Sequence, residues 1–157
     1  MEAALPLEVV FKFFQDPRNL ARITPPHLNF RITTSGVEMR KGALIDYQIR
    51  WLGVPMKWRT LITDYHPARG FIDEQLRGPY KLWRHHHDFQ EANGVSVISD
   101  RVEYELPWGI LGPVAHVLAV GRQLRGIFAY RQRAIAKILG VPGVRFTDPV
   151  IRTLAVP

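Results

Sequence analysis

The stretch from Phe71 to Phe89, FIDEQLRGPYKLWRHHHDF, decides the fold that we predict for this chain. It is typical of two strands joined by a turn at Gly78-Pro79. Because alternate side chains of a strand point to the same face, the second strand places aromatic and imidazole groups together. These residues are Trp83, His85, His87 and Phe89. A face that combines aromatic bulk with imidazole suits the wall of a partly polar cavity.

The first strand of this hairpin and its neighbours show the same alternation. Asp73 and Gln75 share the face of Phe71, and Trp58 lies on one face of a further strand. Strands are predicted at 29–35, 43–52, 55–65 and 95–106, with a tight turn at Ala92-Asn93-Gly94. Regular strands with short turns predict an antiparallel meander.

Helices are predicted on both sides of this run of strands. Two short ones span 7–15 and 18–23, and a long one spans 114–139, with Gly140 just beyond its end. The apolar side of the long helix is predicted to carry Val114, Val117, Leu118, Leu124, Phe128, Ile135 and Leu139. This order predicts an α+β fold in which a curved antiparallel sheet wraps round the C-terminal helix, with a cavity between them.

Composition limits the class of protein. The 157 residues suit a single domain at 1–140 followed by a tail at 141–157. The net charge is +7, but the basic residues are scattered, so we expect no nucleic-acid partner. The sequence has no cysteine, which excludes thiolate metal sites and suits a reducing compartment. With no signal peptide or membrane span in view, we expect a cytoplasmic protein.

An ordered set of short motifs carries a family resemblance that extends from Leu5 to Leu139. The set runs through Asp16-Pro17, Asn19-Leu20, Thr24-Pro25-Pro26, Gly42, Asp46-Tyr47, Trp58, Phe71, Asp73, Gln75, Gly78-Pro79-Tyr80, Trp83, His85, His87, Phe89, Asp100, Val102, Tyr104, Leu106-Pro107, Gly109, Gly112, Phe128 and Tyr130-Arg131. The chain resembles the SRPBCC superfamily, START-like proteins of the polyketide cyclase/dehydrase type, and within it the cyclase/dehydrase-like ligand-binding group. The resemblance implies a helix-grip (START/Bet v 1-like) fold whose cavity takes a small hydrophobic ligand such as a lipid or a polyketide. It does not imply one reaction.

The sequence departs from the family pattern at its start. The strand that normally precedes the first helix is apparently missing, which would leave unpaired backbone groups along a sheet edge. We therefore expect a partner subunit, the C-terminal tail or an upstream segment to cover that edge. The first of these would make the protein a homodimer.

The residues predicted to face the cavity support several interpretations. Ligand-binding side chains are predicted to be Trp58, Gln75, Trp83, Phe89, Tyr104, Phe128 and Arg131. In a cyclase or dehydratase (a lyase), His85 or His87 would act as the base, oriented by Asp73 or Asp100. We expect no metal and no cofactor, although two histidines at i and i+2 with a carboxylate leave a metal as an alternative.

Two alternatives lie outside the cavity's chemistry. The polar groups could satisfy one another in a network that only stiffens the sheet, and the protein would then be a partner-binding module without a ligand. The basic helix residues Arg122, Arg125, Arg133 and Lys137 form a solvated face in the main interpretation, or contact an anionic membrane in the alternative.

Overall fold

The computed structural model describes residues 1–107, 113–141 and 144–149, with the backbone alone at 113–117. The predicted loop from Pro107 to Pro113, with Trp108, lies largely outside these residues, as do the side chains of Val114 and Val117 and the end of the tail. The helices are α1 (Leu7–Phe14), α2 (Arg18–Arg22) and α3 (Pro113–Leu139), with a short 3-10 turn at Pro26–Leu28. The strands are β1 (Glu2–Ala3), β2 (Arg31–Ile32), β3 (Leu44–Trp51), β4 (Val54–His66), β5 (Gly70–Arg77), β6 (Leu82–Ala92) and β7 (Val95–Glu105).

The described strands form one antiparallel sheet in the order β1-β7-β6-β5-β4-β3-β2. Its pairing is irregular between β4 and β5, where the register shifts at Arg59/Thr60 and again at Ile62/Asp64. Such bulges bend a strand and increase its twist, which curves the sheet. Helix α3 packs against the sheet through Val120, Leu124 and Phe128 among others. The predicted α+β helix-grip arrangement is confirmed.

The β5–β6 hairpin has the alternation that the sequence predicts. His85 and His87 are each 4% exposed, whereas Asp88 and Gln90 on the opposite face are exposed. The predicted Asn93-Gly94 turn is also present, with φ of 54° and 75° at its two residues. Positive φ at both central residues matches the right-handed twist of the strands that they join.

The prediction that the first strand is missing is wrong. Glu2–Ala3 forms β1, which pairs with β7 opposite Val97 and Ser96. The C-terminal tail then pairs with β1, because the Glu2 N–H donates to Arg145 O at 3.0 Å and the Arg145 N–H donates to Glu2 O at 3.1 Å. Two residues carry no periodic signal, so the strand exists only through its partners. This pairing removes the reason for expecting a partner subunit at this position.

Two further predictions need correction. The strand predicted at 29–35 is reduced to Arg31–Ile32. On α3, Leu118 is 64% exposed instead of facing the sheet, and Val120 is fully buried. The basic face of α3 is solvent-exposed as predicted, at Arg122, Arg125, Arg133 and Lys137. Within the described residues, no helix is long and apolar enough to cross a bilayer.

Candidate functional site

A cavity of about 160 Å³ lies between the sheet, α3 and the two short helices. Apolar and aromatic side chains make up most of its lining, and one group of polar side chains interrupts them. Of the residues that the sequence predicts for the site, those lining the cavity are Trp58, Asp73, Trp83, His85, His87, Phe128 and Arg131. Alternation within strands and helical periodicity thus bring most of the predicted residues together.

Part of the lining was not predicted. Phe13 and Phe14 from α1 and Leu20 and Ile23 from the α2 region close one side of the cavity. The apolar side of α1 is visible in the sequence, but its contact with β6 is a tertiary feature. Phe14 packs against Phe89 with ring centroids 4.8 Å apart, which places α1 over the hairpin.

Three predicted ligand-binding residues lie around the lining instead of in it. The Gln75 side chain binds the turn after β5, where Nε2 donates to Tyr80 O at 2.6 Å and Oε1 accepts from the Tyr80 N–H at 3.3 Å. Phe89 packs among the rings of α1 and β5. Tyr104 packs edge-on to Tyr80 at 5.7 Å. Their predicted contact with a ligand stays a prediction.

The polar part of the lining is a cluster built across three neighbouring strands. In the register of the sheet, Asp73 of β5 is opposite His85 of β6, and His87 of β6 is opposite Asp100 of β7. The shortest contacts are diagonal, with His85 Nε2 2.9 Å from Asp100 Oδ1 and His87 Nε2 2.8 Å from Asp73 Oδ2. His87 therefore contacts both carboxylates, since its Nδ1 is also 3.1 Å from Asp100 Oδ1.

Arg131 completes this cluster from α3. Its Nη2 lies 3.9 Å from Asp100 Oδ1 and 3.5 Å from His87 Nδ1. The second contact is too long to be a strong hydrogen bond, and His87 Nδ1 already faces Asp100. We therefore interpret Arg131 as a positive charge placed beside Asp100. Its guanidinium also lies over the Phe14 ring, with 5.6 Å from Cζ to the centroid.

Burial and pairing push the pKa values of the two histidines apart. Burial lowers the pKa of His85 to about 4, and the nearby charge of His87 acts in the same direction. Burial alone would also lower the pKa of His87, but hydrogen bonds to Asp100 and Asp73 outweigh it and raise that pKa. The Asp100 pKa is held well below its usual value because Arg131 and both histidines outweigh the effect of burial. The pKa of Asp73 is lowered, since the hydrogen bond from His87 and the charges of the neighbouring histidines and Arg131 outweigh burial.

These shifts describe a cluster whose charges cancel. Asp73 and Asp100 are ionised, and Arg131 and His87 supply two positive charges, while His85 remains neutral. A third positive charge in so small a buried volume would have no partner, which is why only one imidazole holds a second proton.

Aromatic rings exclude water from this cluster. Phe71 stacks on His87 with centroids 4.2 Å apart, and Phe128 meets His85 edge-on at 5.4 Å. The two imidazole rings are themselves 3.8 Å apart. In a site of low dielectric, each polar contact is stronger than in water.

Some hydrogen-bonding capacity is left over around the cavity. Within the described residues, Trp58 Nε1, Gln123 Oε1 and Arg131 Nε are buried without a hydrogen-bond partner. All three side chains belong to the cavity lining. A buried donor or acceptor without a partner costs about 1–3 kcal/mol. A ligand with its own oxygen atoms could satisfy such groups.

Comparison with known sequences gives a family match. The model of the family described as "Polyketide cyclase / dehydrase and lipid transport" matches residues 3–132 of the chain. Among curated proteins, no sequence matches the chain.

Comparison with solved structures confirms the fold. TTHA0849 from Thermus thermophilus superposes with a TM-score of 0.69 at 12% identity, covering 88% of this chain and 92% of that one. A START superfamily protein from Mycobacterium smegmatis gives 0.63 at 13% identity, covering 88% and 94%. The di-domain ARO/CYC StfQ from the steffimycin biosynthetic pathway gives 0.62 at 14% identity, covering 88% of this chain and 47% of that one. At these identities the likeness is one of fold.

Proposed function

The chain belongs to the polyketide cyclase/dehydrase and lipid transport family, and from this premise we propose that it binds a small hydrophobic molecule between its sheet and α3. The polar group of that molecule would lie against the cluster of Asp73, His85 and His87. The observation that carries the proposal is the apolar cavity with these three side chains in its lining. A cavity of this kind holds a ligand by apolar burial and orients it by a few polar contacts.

The volume of the cavity limits the ligand. Drug-sized ligands occupy pockets of about 300–1,000 Å³, and a dry cavity of about 150 Å³ holds benzene. At about 160 Å³, this cavity suits one ring with a hydroxyl or carbonyl group. A larger lipid or polycyclic molecule would extend through the mouth.

Binding of fluorophenol, followed by fluorine NMR in the presence of EDTA, tests this proposal. We expect saturable binding to the full chain, and loss of binding in Ile127→Trp, because Ile127 lines the cavity on α3 and the larger side chain would fill it. The matched control is Arg133→Trp, since Arg133 is exposed on the same helix. Equal binding by both variants, with both folded by circular dichroism, would contradict the proposal.

A second comparison tests the polar contact. Fluorophenol should bind about 2- to 10-fold more tightly than fluorobenzene, which is what one net hydrogen bond contributes. Asp73→Asn should reduce this difference, because it changes the carboxylate that lines the cavity. A preference for fluorophenol that is the same in both proteins would exclude the cluster as its binding site.

Acid–base catalysis in the same cavity is the second candidate, and one contact favours it. His87 Nε2 lies 2.8 Å from Asp73 Oδ2, so the pair can hold one proton beside the ligand. In the dehydration of a β-hydroxy ketone, Asp73 would take the proton from the carbon next to the carbonyl. His87 would give its proton to the leaving hydroxyl, which departs as water while the carbon–carbon double bond forms.

The aldol adduct of benzaldehyde and acetone is a suitable probe, because it has one ring and its dehydration product absorbs in the ultraviolet. We expect turnover in EDTA by the wild-type chain and by His86→Gln, and none by His87→Gln. Binding of fluorophenol without turnover of this adduct would leave the protein a binder and count against the lyase.

A further inference from the structure

We propose that Asp73, His85 and His87 form a binding site for one divalent transition-metal ion, with Zn²⁺ as the best match. One donor atom from each of the three residues lies within 4.8 Å of the others. The inference is independent of the ligand-binding proposal, which is tested in a chelator.

The donor atoms are His85 Nδ1, His87 Nε2 and Asp73 Oδ2. Asp73 Oδ2 lies 2.8 Å from His87 Nε2 and 3.6 Å from His85 Nδ1. Ligands on a tetrahedral zinc ion, at about 2.0–2.2 Å from the metal, are about 3.3–3.5 Å apart. The two observed distances lie on either side of that value, so shifts of less than an ångström would bring the three atoms round one ion.

The other nitrogen of each ring is also occupied. His85 Nε2 is 2.9 Å from Asp100 Oδ1, and His87 Nδ1 is 3.1 Å from the same oxygen. Metal-binding histidines usually donate their second N–H to a carboxylate, which fixes the ring and leaves the first nitrogen free for the metal. Here one carboxylate would do this for both rings.

The position of Arg131 decides which carboxylate would bind the ion. Its guanidinium lies beside Asp100, 3.9 Å from Oδ1, and would repel a cation placed there. Asp73, His85 and His87 line the cavity, so an ion on their side would keep its remaining coordination position open toward the ligand. Three protein ligands and one open position are the pattern of catalytic zinc sites.

The charges around the site accept a divalent ion. With both histidines neutral, Asp73, Asp100 and Arg131 sum to one negative charge, and the ion changes this to one positive charge. An ionised ligand oxygen at the open position would restore neutrality. Two imidazoles and one carboxylate suit zinc and iron(II) and are poor ligands for calcium or magnesium.

Zinc titration of the chelator-treated full chain tests the site. We expect one Zn²⁺ per chain by calorimetry, and tetrahedral visible absorption when Co²⁺ is used instead. Asp73→Asn and His87→Gln should lose this binding, whereas Asp100→Asn should weaken it by about 10- to 100-fold because it only orients the rings. His86→Gln is the matched control, since His86 lies between the two ligands in sequence but on the other face of the strand.

Stoichiometric binding that survives His86→Gln and is lost in Asp73→Asn supports the site. Absent binding, or binding that Asp73→Asn and His87→Gln leave unchanged, overturns it. If a variant fails to fold in EDTA, the wild-type chain decides alone. Co²⁺ should then shift the NMR signals of the His85 and His87 rings and leave that of the exposed His66 unshifted, and the reverse pattern overturns the proposal.

Discussion

Asp100 Oδ1 lies within 3.1 Å of nitrogen atoms from both cluster histidines. Its side chain is only 17% exposed, so its negative charge depends on these rings and on Arg131. Removing one partner of a buried ion pair leaves the other charge with little solvation. Arg131 was predicted as a ligand-binding residue, and the structure gives it this second, structural contact.

Arg131→Met should therefore destabilise the protein strongly. We expect a loss of about 3 kcal/mol in the free energy of unfolding, toward the lower end of the range for broken buried pairs, because water still reaches part of Asp100. Urea denaturation in EDTA, with an unchanged m-value, measures the loss. Arg133→Met, on the solvent face of the same helix, should change stability by less than about 0.5 kcal/mol. Similar losses in the two variants would show that Asp100 does not need the guanidinium.

At the scale of elements, the alternation of β6 could be read from the sequence because two faces of a strand separate every second residue. That alone placed His85 and His87 together and His86 apart. The diagonal contacts to Asp73 and Asp100 could not be predicted, since they depend on the register between strands. Strand β1 and the cover supplied by α1 also escaped prediction, because both depend on tertiary contacts. Leu118 was misplaced because the apolar stripe of α3 shifts by two residues, to Val120.

The start of β5 is held close to β6, which fixes the position of His87. At Gly70, φ is +156°, and an added Cβ would fall on the carbonyl oxygen of His87. That oxygen belongs to a paired backbone and cannot move without shifting the strand.

Gly70→Ala should destabilise the protein by about 1–3 kcal/mol, the usual cost of a strained backbone position. It should also weaken zinc and fluorophenol binding, because His87 moves with its backbone. Gly126→Ala is the control, since nothing lies within 4 Å of the added atom and the helix gains about 0.5–1 kcal/mol from alanine. Thermal unfolding of both variants measures the difference. Equal melting temperatures would mean that the β5–β6 contact is looser than the structure indicates.

At the scale of the whole molecule, the cavity exists because a bent sheet and a straight helix do not fill the space between them. Trp58, Tyr80 and Leu124 close one end in a separate apolar cluster. The other end is closed by α1 through Phe13 and Phe14. A ligand can grow only toward the mouth once the space between these clusters is filled.

The size of the cavity predicts how affinity changes along a series of one-, two- and three-ring phenols. Each added ring should strengthen binding by about 25 cal/mol for every Å² of apolar surface that it buries. A space of about 160 Å³ buries the first ring, so the second and third rings should add little affinity. Calorimetric dissociation constants, compared with transfer of the same phenols from water to octanol, measure the limit. Affinity that follows octanol transfer through all three rings would mean that α1 or α3 moves aside to admit larger molecules, and the ligand class would then extend to polycyclic compounds.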